Sequence, residues 1–200
     1  MKTFLHVGCG DYTKSQTKGF NNDNWKEIRL DIDSAVKPDV VGSSTDMSLI
    51  ETASVDAVYS SYNLDHIYPH EVPIALKEFY RVLNVDGIAI VRCPDIQTVC
   101  EKIAQDKLLE VLYESDAGPI YPIDVIYGHR WYIKNGNEYM AKKVGFTYSA
   151  LDASFAEAGF KTRYGGRMPF SGGELNIVAF KQKIPEKEVK KIAEPLLGWL

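Results

Sequence analysis

An α/β fold with a doubly wound, mostly parallel sheet is what this 200-residue chain predicts. Three observations lead there. Five short apolar runs rich in β-branched residues alternate with turns and crossovers in the first half of the chain. A strongly periodic helical segment separates the fourth of these runs from the fifth. The first run, Phe4-Leu5-His6-Val7, stops at Gly8 and Gly10, glycines one residue apart. A strand that enters a ligand-binding turn ends in this way, because glycine takes positive φ and lets a ligand lie against the backbone.

A chain of this length buries roughly 70% of the surface it exposes when unfolded, enough for one self-supporting domain. Hydrophobic residues at 45% and charged residues at 25% match an ordinary globule. The longest apolar runs fall far short of the ~18 residues that span a bilayer, so no membrane role is expected. Met1-Lys2-Thr3 enters the first strand directly, which leaves no room for a signal peptide and points to the cytoplasm. Cys9, Cys93 and Cys100 are an odd number without C-x-x-C spacing, so neither a disulfide frame nor a metal site is indicated. A net charge of -4 gives no footprint for a nucleic-acid backbone.

Thr3 to Val7 is the first predicted strand. The polar stretch Asp11 to Gly19 has no apolar residue at helical spacing and reads as a loop. A pyrophosphate needs the exposed amides of a helix start, and Thr13 stands where a third glycine would complete G-x-G-x-x-G. Both points lean away from a dinucleotide. Glu27 to Asp31 is the second strand, and Asp31 follows the glycines by roughly 20 residues, the distance at which a carboxylate takes the hydroxyls of a ribose. A third strand covers Asp39-Val40-Val41-Gly42 and a fourth Val55-Asp56-Ala57-Val58-Tyr59. Val72, Leu76, Phe79 and Leu83 place a helix between Pro69 and Leu83, with both prolines at its start. Asn84 to Gly87 breaks it, and Ile88 to Cys93 is the fifth strand, stopped by Pro94.

Ile96, Val99, Ile103, Leu108 and Leu112 predict a second amphipathic helix. Gly118 to Asn137, rich in glycine, proline and aromatics, reads as a long binding loop. Ser149-x-x-Asp152 resembles a capping box, and Gly159 closes the helix it would open. Phe160 to Tyr164 and Leu175 to Phe180, joined by Gly165 to Gly173, finish the sheet as an antiparallel pair. The predicted sheet therefore has seven strands, with an antiparallel strand at the C-terminal end. Residues 1–184 are read as one domain and 185–200 as a helix packed on it, its apolar end Leu196 to Leu200 turned inward.

The motifs, taken together, resemble those of the class I S-adenosylmethionine-dependent methyltransferases, specifically the small members with an "hxGCG" first motif. The resemblance runs from Phe4 to about Phe160. It comprises LHVGCG at 5–10, the acidic strand end at Asp31, SVDAVYSSYNLDHI at 54–67 and EFYRVLNVDGIAIV at 78–91. It implies a Rossmann-like fold, S-adenosylmethionine as cofactor and a small or medium-sized acceptor. It also implies that the turn of Gly8, Cys9 and Gly10 lies under the methionine part and that Asp31, followed by Ile32, holds the ribose. Ser43, Asp46 and Met47 then flank the adenine, and Ser60 and Ser61 meet the methionine end or the acceptor. Two departures stand out. His6 occupies a place often acidic, and Asp65 stands where glutamate usually precedes the histidine.

Methyl transfer is an in-line displacement, so positioning does most of the work and few catalytic groups are needed. An acceptor that carries a proton needs a base, for which His66 and His129 are the candidates; a helix-capping role and loop packing are their structural alternatives. Tyr62 and Asn63 follow the fourth strand at the sheet end where ligands bind, and Tyr12 or Tyr62 either turns a ring face to a sulfonium or serves only in packing. Arg130 and Trp131, in the long loop, complete the acceptor-side candidates, with Arg130 either gripping a substrate carboxylate or phosphate or only pairing with a surface acid. The thiol of Cys9 and His70 are read as structural. Two other readings stay open: a non-catalytic protein of the same fold that binds the cofactor or a partner, and a nicotinamide-dependent oxidoreductase.

Overall fold

The computed structural model describes residues 1–115, 117–168 and 173–197. Its strands are β1 (Lys2–Val7), β2 (Trp25–Asp31), β3 (Val40–Val41), β4 (Val55–Ser61), β5 (Leu83–Pro94), the small ribbon β6 (Tyr113–Ser115) with β7 (Gly118–Ile120), then β8 (Thr162–Met168) and β9 (Glu174–Phe180). Seven of them form one sheet in the order β3-β2-β1-β4-β5-β9-β8. The first five run parallel, and β9 is antiparallel to both of its neighbours. This is the predicted Rossmann-like α/β sheet. The chain moves outward from β1 through β2 to β3, then crosses back to β4 on the other side of β1. That reversal puts the switch point between β1 and β4, at whose C-terminal ends open α/β sheets bind ligands.

The helices are α1 (Val72–Val82), α2 (Ile96–Ile103), α3 (Pro122–Tyr127), α4 (Arg130–Lys134), α5 (Tyr148–Glu157) and α6 (Glu186–Leu197). One face of the sheet packs Leu5, Val58 and Val91 against Leu76 and Phe79 of α1 and Phe155 of α5. The other face packs Phe4, Ala57, Tyr59 and Val178 against Phe20 and against Val189, Ala193 and Leu197 of α6. Phe20 stacks on Phe4 with ring centroids 4.4 Å apart. A loop residue and the C-terminal helix thus cover the face that a crossover helix after β1 covers in a doubly wound sheet. Leu197 is buried in this cluster and Leu196 packs against it; Gly198 to Leu200 lie outside the described residues.

Several predicted boundaries move, each for a local reason. Asn84 to Gly87 belongs to β5 as an irregularity where the register against β4 shifts, and it is not a break. A Cβ at Gly87 would lie 2.9 Å from Leu83 Cβ, so the pinch needs glycine. The second helix ends at Ile103 and does not reach Leu112, because Asp106 takes φ 62 and turns the chain. Ile103 and Leu112 still meet around Val99, Ile120 and Val125, so the periodic apolar signal came from a small separate cluster. The long loop holds α3 and α4. Thr147, not Ser149, caps α5 by accepting the Ala150 amide, while Asp152 pairs with Arg163. The Gly165-to-Gly173 connection is shorter than expected, since Gly165 to Met168 lie in β8. Pro169 to Gly172 of that connection lie outside the described residues.

Candidate functional site

The glycine turn follows β1 with Gly8 at φ 66 and Gly10 at φ 51, the left-handed region that favours glycine. The two glycines serve different ends. A Cβ on Gly8 would run into the Asn63 side chain, whereas a Cβ on Gly10 would meet no atom within 4 Å. Only Gly10 faces open space. Gly8 makes room for the Asn63 side chain. Cys9 between them is buried, and burial pushes its thiol up to about 11. It offers the site its backbone only.

Asp31, the last residue of β2, turns its carboxylate to this bend. Its Oδ2 accepts the Gly10 amide at 2.7 Å and its Oδ1 accepts the Asp33 amide at 2.9 Å. Each oxygen keeps a second lone pair for a ligand. Ile32, beside it, is exposed at the rim. The residues that approach the turn from β2 alternate along the strand. Glu27 Oε2 accepts the Lys14 amide at 2.8 Å, and its Oε1 lies 2.8 Å from His6 Nδ1. Arg29 donates to four backbone carbonyls, those of Gly10, Tyr12, Val36 and Lys37. Sequence reasoning missed Glu27 and Arg29 as parts of the site. The signal was present as Glu27-x-Arg29-x-Asp31, three charged side chains on one strand face.

The β4 side of the switch point is built by Ser60 to Asn63. Ser60 is fully buried with Oγ unpartnered, and Asn63 Oδ1 is likewise buried without a partner. Ser61 closes the pairing of β4 with Arg92 of β5. Tyr62 sits at φ 51, costly for a side chain of this size. Its hydroxyl donates to Glu174 Oε2 at 2.6 Å, and Glu174 is held in turn by Arg92 and Asn176. The Tyr62 hydroxyl is therefore anchored to β9. Burial, then the neighbouring Glu174 carboxylate, pushes its hydroxyl far above the usual range.

The residues after β3 do not gather around the switch point as a set. Met47 is buried in the core beneath α1, its amide donated to Glu78. Ser43 Oγ lies 2.8 Å from Thr45 Oγ1 within a tight turn. Asp46 accepts from Ser48, and that hydrogen bond holds its carboxyl below the usual range. A depression of about 440 Å³ lies between this turn and α1, and none of Gly8, Gly10 or Asp31 lines it.

On the acceptor side, the segment 141–144 runs between the turn after β4 and the long loop. His66 Nδ1 lies 3.1 Å from the Ala141 carbonyl. A carbonyl only accepts, so Nδ1 carries the proton and donates it, while Nε2 lies 3.8 Å from Asp65 Oδ2. Buried Asp65 accepts the Lys143 amide on its backbone oxygen and pairs with Lys142 Nζ at 2.7 Å. Gly128 bridges Ala141 from the other side. His129 follows it, with both ring nitrogens buried and unpartnered, its ring edge-on to Tyr132. Arg130 Nε donates to Asp124 Oδ1 at 2.6 Å, and the guanidinium lies over Tyr121; Asp124 is a buried acid, not a surface one. Trp131 is exposed, edge-on to Tyr132. Among the described residues no cluster of metal-ligating side chains occurs, and no helix is long and apolar enough to cross a membrane.

Residues 5–91 match the profile of a methyltransferase domain family. Among solved structures, the chain is similar to the 1,6-didemethyltoxoflavin-N1-methyltransferase of Burkholderia thailandensis, solved with 1,6-didemethyltoxoflavin and S-adenosylhomocysteine. The identity is 16%, the TM-score 0.58, and 91% of this chain covers 72% of that one. It is similar also to an S-adenosylmethionine-dependent methyltransferase of Archaeoglobus fulgidus, at 14% identity and TM-score 0.60, with 90% of this chain on 86% of that one. A longer protein of Nostoc punctiforme, solved as a candidate O-methyltransferase, matches at 15% identity and TM-score 0.57; the chain covers 52% of its length. A comparison with the curated proteins finds no match.

Proposed function

We propose that this chain, whose residues 5–91 match a methyltransferase domain profile, uses S-adenosylmethionine to methylate an oxygen, nitrogen or carbon atom of a small or medium-sized acceptor. The reading includes a cytoplasmic location and a single domain, 1–184, on which 185–200 pack. One observation carries it. An acidic side chain at the end of β2 grips the glycine turn at Gly10, beside open space and with lone pairs to spare.

The residues suit a nucleoside without phosphates. Asp31 accepts the two ribose hydroxyls on its remaining lone pairs, each such charged hydrogen bond contributing roughly 1.5 to 3 kcal/mol. The buried, unpartnered Asn63 Oδ1 and Ser60 Oγ await a ligand's polar groups on the opposite wall. Between β1 and β2 the only helical turn is the three-residue Lys14–Gln16, so no helix start is offered to a pyrophosphate, which disfavours a nicotinamide dinucleotide. The bound cofactor would supply a methyl group activated by its sulfonium. The protein's share is alignment of the acceptor with that carbon. Where the acceptor carries a proton, His66 Nε2 takes it, oriented through the Nδ1 donation to Ala141. His129 is the second base candidate, with two nitrogens that nothing else occupies.

Thermal melting with S-adenosylhomocysteine and with NAD tests the proposal. A ligand at a hundred times its Kd adds about 2.7 kcal/mol, several degrees at this size. A shift with S-adenosylhomocysteine alone is expected. A shift with NAD alone returns the oxidoreductase reading, and a shift with neither leaves a scaffold of the same fold.

A further inference from the structure

We propose that Arg29 is a positioning residue that holds the cofactor turn in shape, in place of the helix that ordinarily follows β1 in a doubly wound sheet. The inference rests on the reading of the Gly10 turn as the cofactor cradle. Along β2, side chains alternate faces, so Glu27, Arg29 and Asp31 share one face while Ile28 and Leu30 turn to the other. These three meet the departing segment in sequence. Asp31 takes the amide of Gly10, Arg29 takes the carbonyls of Gly10 and Tyr12, and Glu27 takes the amide of Lys14.

A loop that leaves a sheet without a helix has backbone groups to satisfy, and those left unpaired near the sheet are costly. Here the strand beside it supplies the partners. Arg29 is the centre of the arrangement because its planar fork reaches two loops at once. Nε and Nη2 hold Tyr12 and Gly10 on the side of the glycine turn, while Nη1 and Nη2 hold Lys37 and Val36 beyond Asp31. The segments that carry Gly10 and Asp31 are thus tied to each other by one side chain. A lysine, with a single point of attachment, cannot span four carbonyls in this way. Arg29 does not itself meet the ligand. With four of its five N–H groups committed to carbonyls, it sets where the Gly10 backbone and the Asp31 carboxylate stand.

The test combines S-adenosylhomocysteine titration with amide hydrogen exchange on the full chain and on Arg29→Lys and Arg29→Ala. Both variants are expected to bind at least tenfold more weakly. Exchange is expected to quicken by tenfold or more over residues 10–16 and 36–37, with α1 and β5 unchanged. Millimolar guanidinium is expected to restore affinity and protection to Arg29→Ala, a rescue that loss of general stability does not allow. Affinity within twofold of the parent, unchanged exchange at 10–16, or faster exchange throughout the chain would each overturn the proposal. If the parent chain itself fails to bind S-adenosylhomocysteine, the methyltransferase reading falls and takes the cofactor role with it, while the exchange data still decide whether Arg29 holds the two loops.

Discussion

The Asp31 carboxylate accepts the Gly10 amide at 2.7 Å, joining the ends of two neighbouring parallel strands beside the switch point. Since Oδ1 accepts from Asp33 as well, the acid is fixed before any ligand arrives. A pre-oriented carboxylate loses little freedom when a ribose binds, and a site of this kind gains affinity by that economy of ordering.

Removing the acid tests both halves of that relationship. Asp31→Asn keeps an oxygen for one amide and loses the charge, and it is expected to weaken S-adenosylhomocysteine by about tenfold. Asp31→Ala loses both acceptors and is expected to weaken it by about a hundredfold or more. Calorimetric titration measures both. An alanine variant that binds within threefold of the parent would show that the ribose lies elsewhere.

The two glycines should respond differently to the same change. Gly10→Ala strains a positive φ by roughly 1–2 kcal/mol and puts a methyl group into the open space. The expected result is a drop of a few degrees in melting temperature and loss of S-adenosylhomocysteine binding. Gly8→Ala meets the Asn63 side chain as well, so its melting temperature is expected to fall further. Equal melting losses, or full binding by Gly10→Ala, would contradict the division of labour between them.

The sheet was legible because its signals are local. The apolar runs at Phe4 to Val7 and Val55 to Tyr59 and the periodic face of α1 declare themselves without knowledge of any partner, and glycines at 8 and 10 mark the turn. What eluded sequence reasoning depends on contacts between distant segments. Met47 sits near the expected adenine site in sequence, yet the core takes its side chain. Tyr62 turns toward Glu174, 112 positions away. Arg29 looks like any charged residue on a strand until the carbonyls of two loops converge on it. A polar residue at a strand position tells of a partner but not which one.

The Cys9 thiol links the turn to pH. Its folded value is pushed up to about 11, from an ordinary value of 9.0, chiefly by burial. The folded state therefore holds this proton more tightly than the unfolded state. The contribution is complete below pH 9 and is lost as the pH climbs toward 11. Cys9→Ala is expected to flatten that part of the stability curve, by no more than about 2–3 kcal/mol. Tyrosines titrate in the same range, so the measurement is the difference between parent and variant in urea melts at pH 8 and pH 10.5. Parallel curves for the two proteins would show that the thiol ionises as freely folded as unfolded. Alkylation gives a second check, with exposed Cys100 reacting well before Cys9.

Lys142 and Asp65 connect the acceptor-side segment to the turn after β4, and they do so with a buried charge pair. Asp65 Oδ1 has no partner at all, and Oδ2 makes a close ion pair with the lysine in place of a well-aligned hydrogen bond. A buried carboxylate that loses its counter-charge is expensive, typically about 3–5 kcal/mol, while replacing both partners with apolar groups of similar size is often neutral. Lys142→Met is therefore expected to cost about 3–5 kcal/mol in urea unfolding. The double variant Asp65→Leu/Lys142→Met is expected to recover most of that loss. The backbone bonds from Lys143 and Val144 to the Asp65 carbonyl survive in both variants, so the 141–144 segment stays docked beside His66. A single variant that loses less than about 1 kcal/mol would mean that the carboxylate does not depend on Lys142.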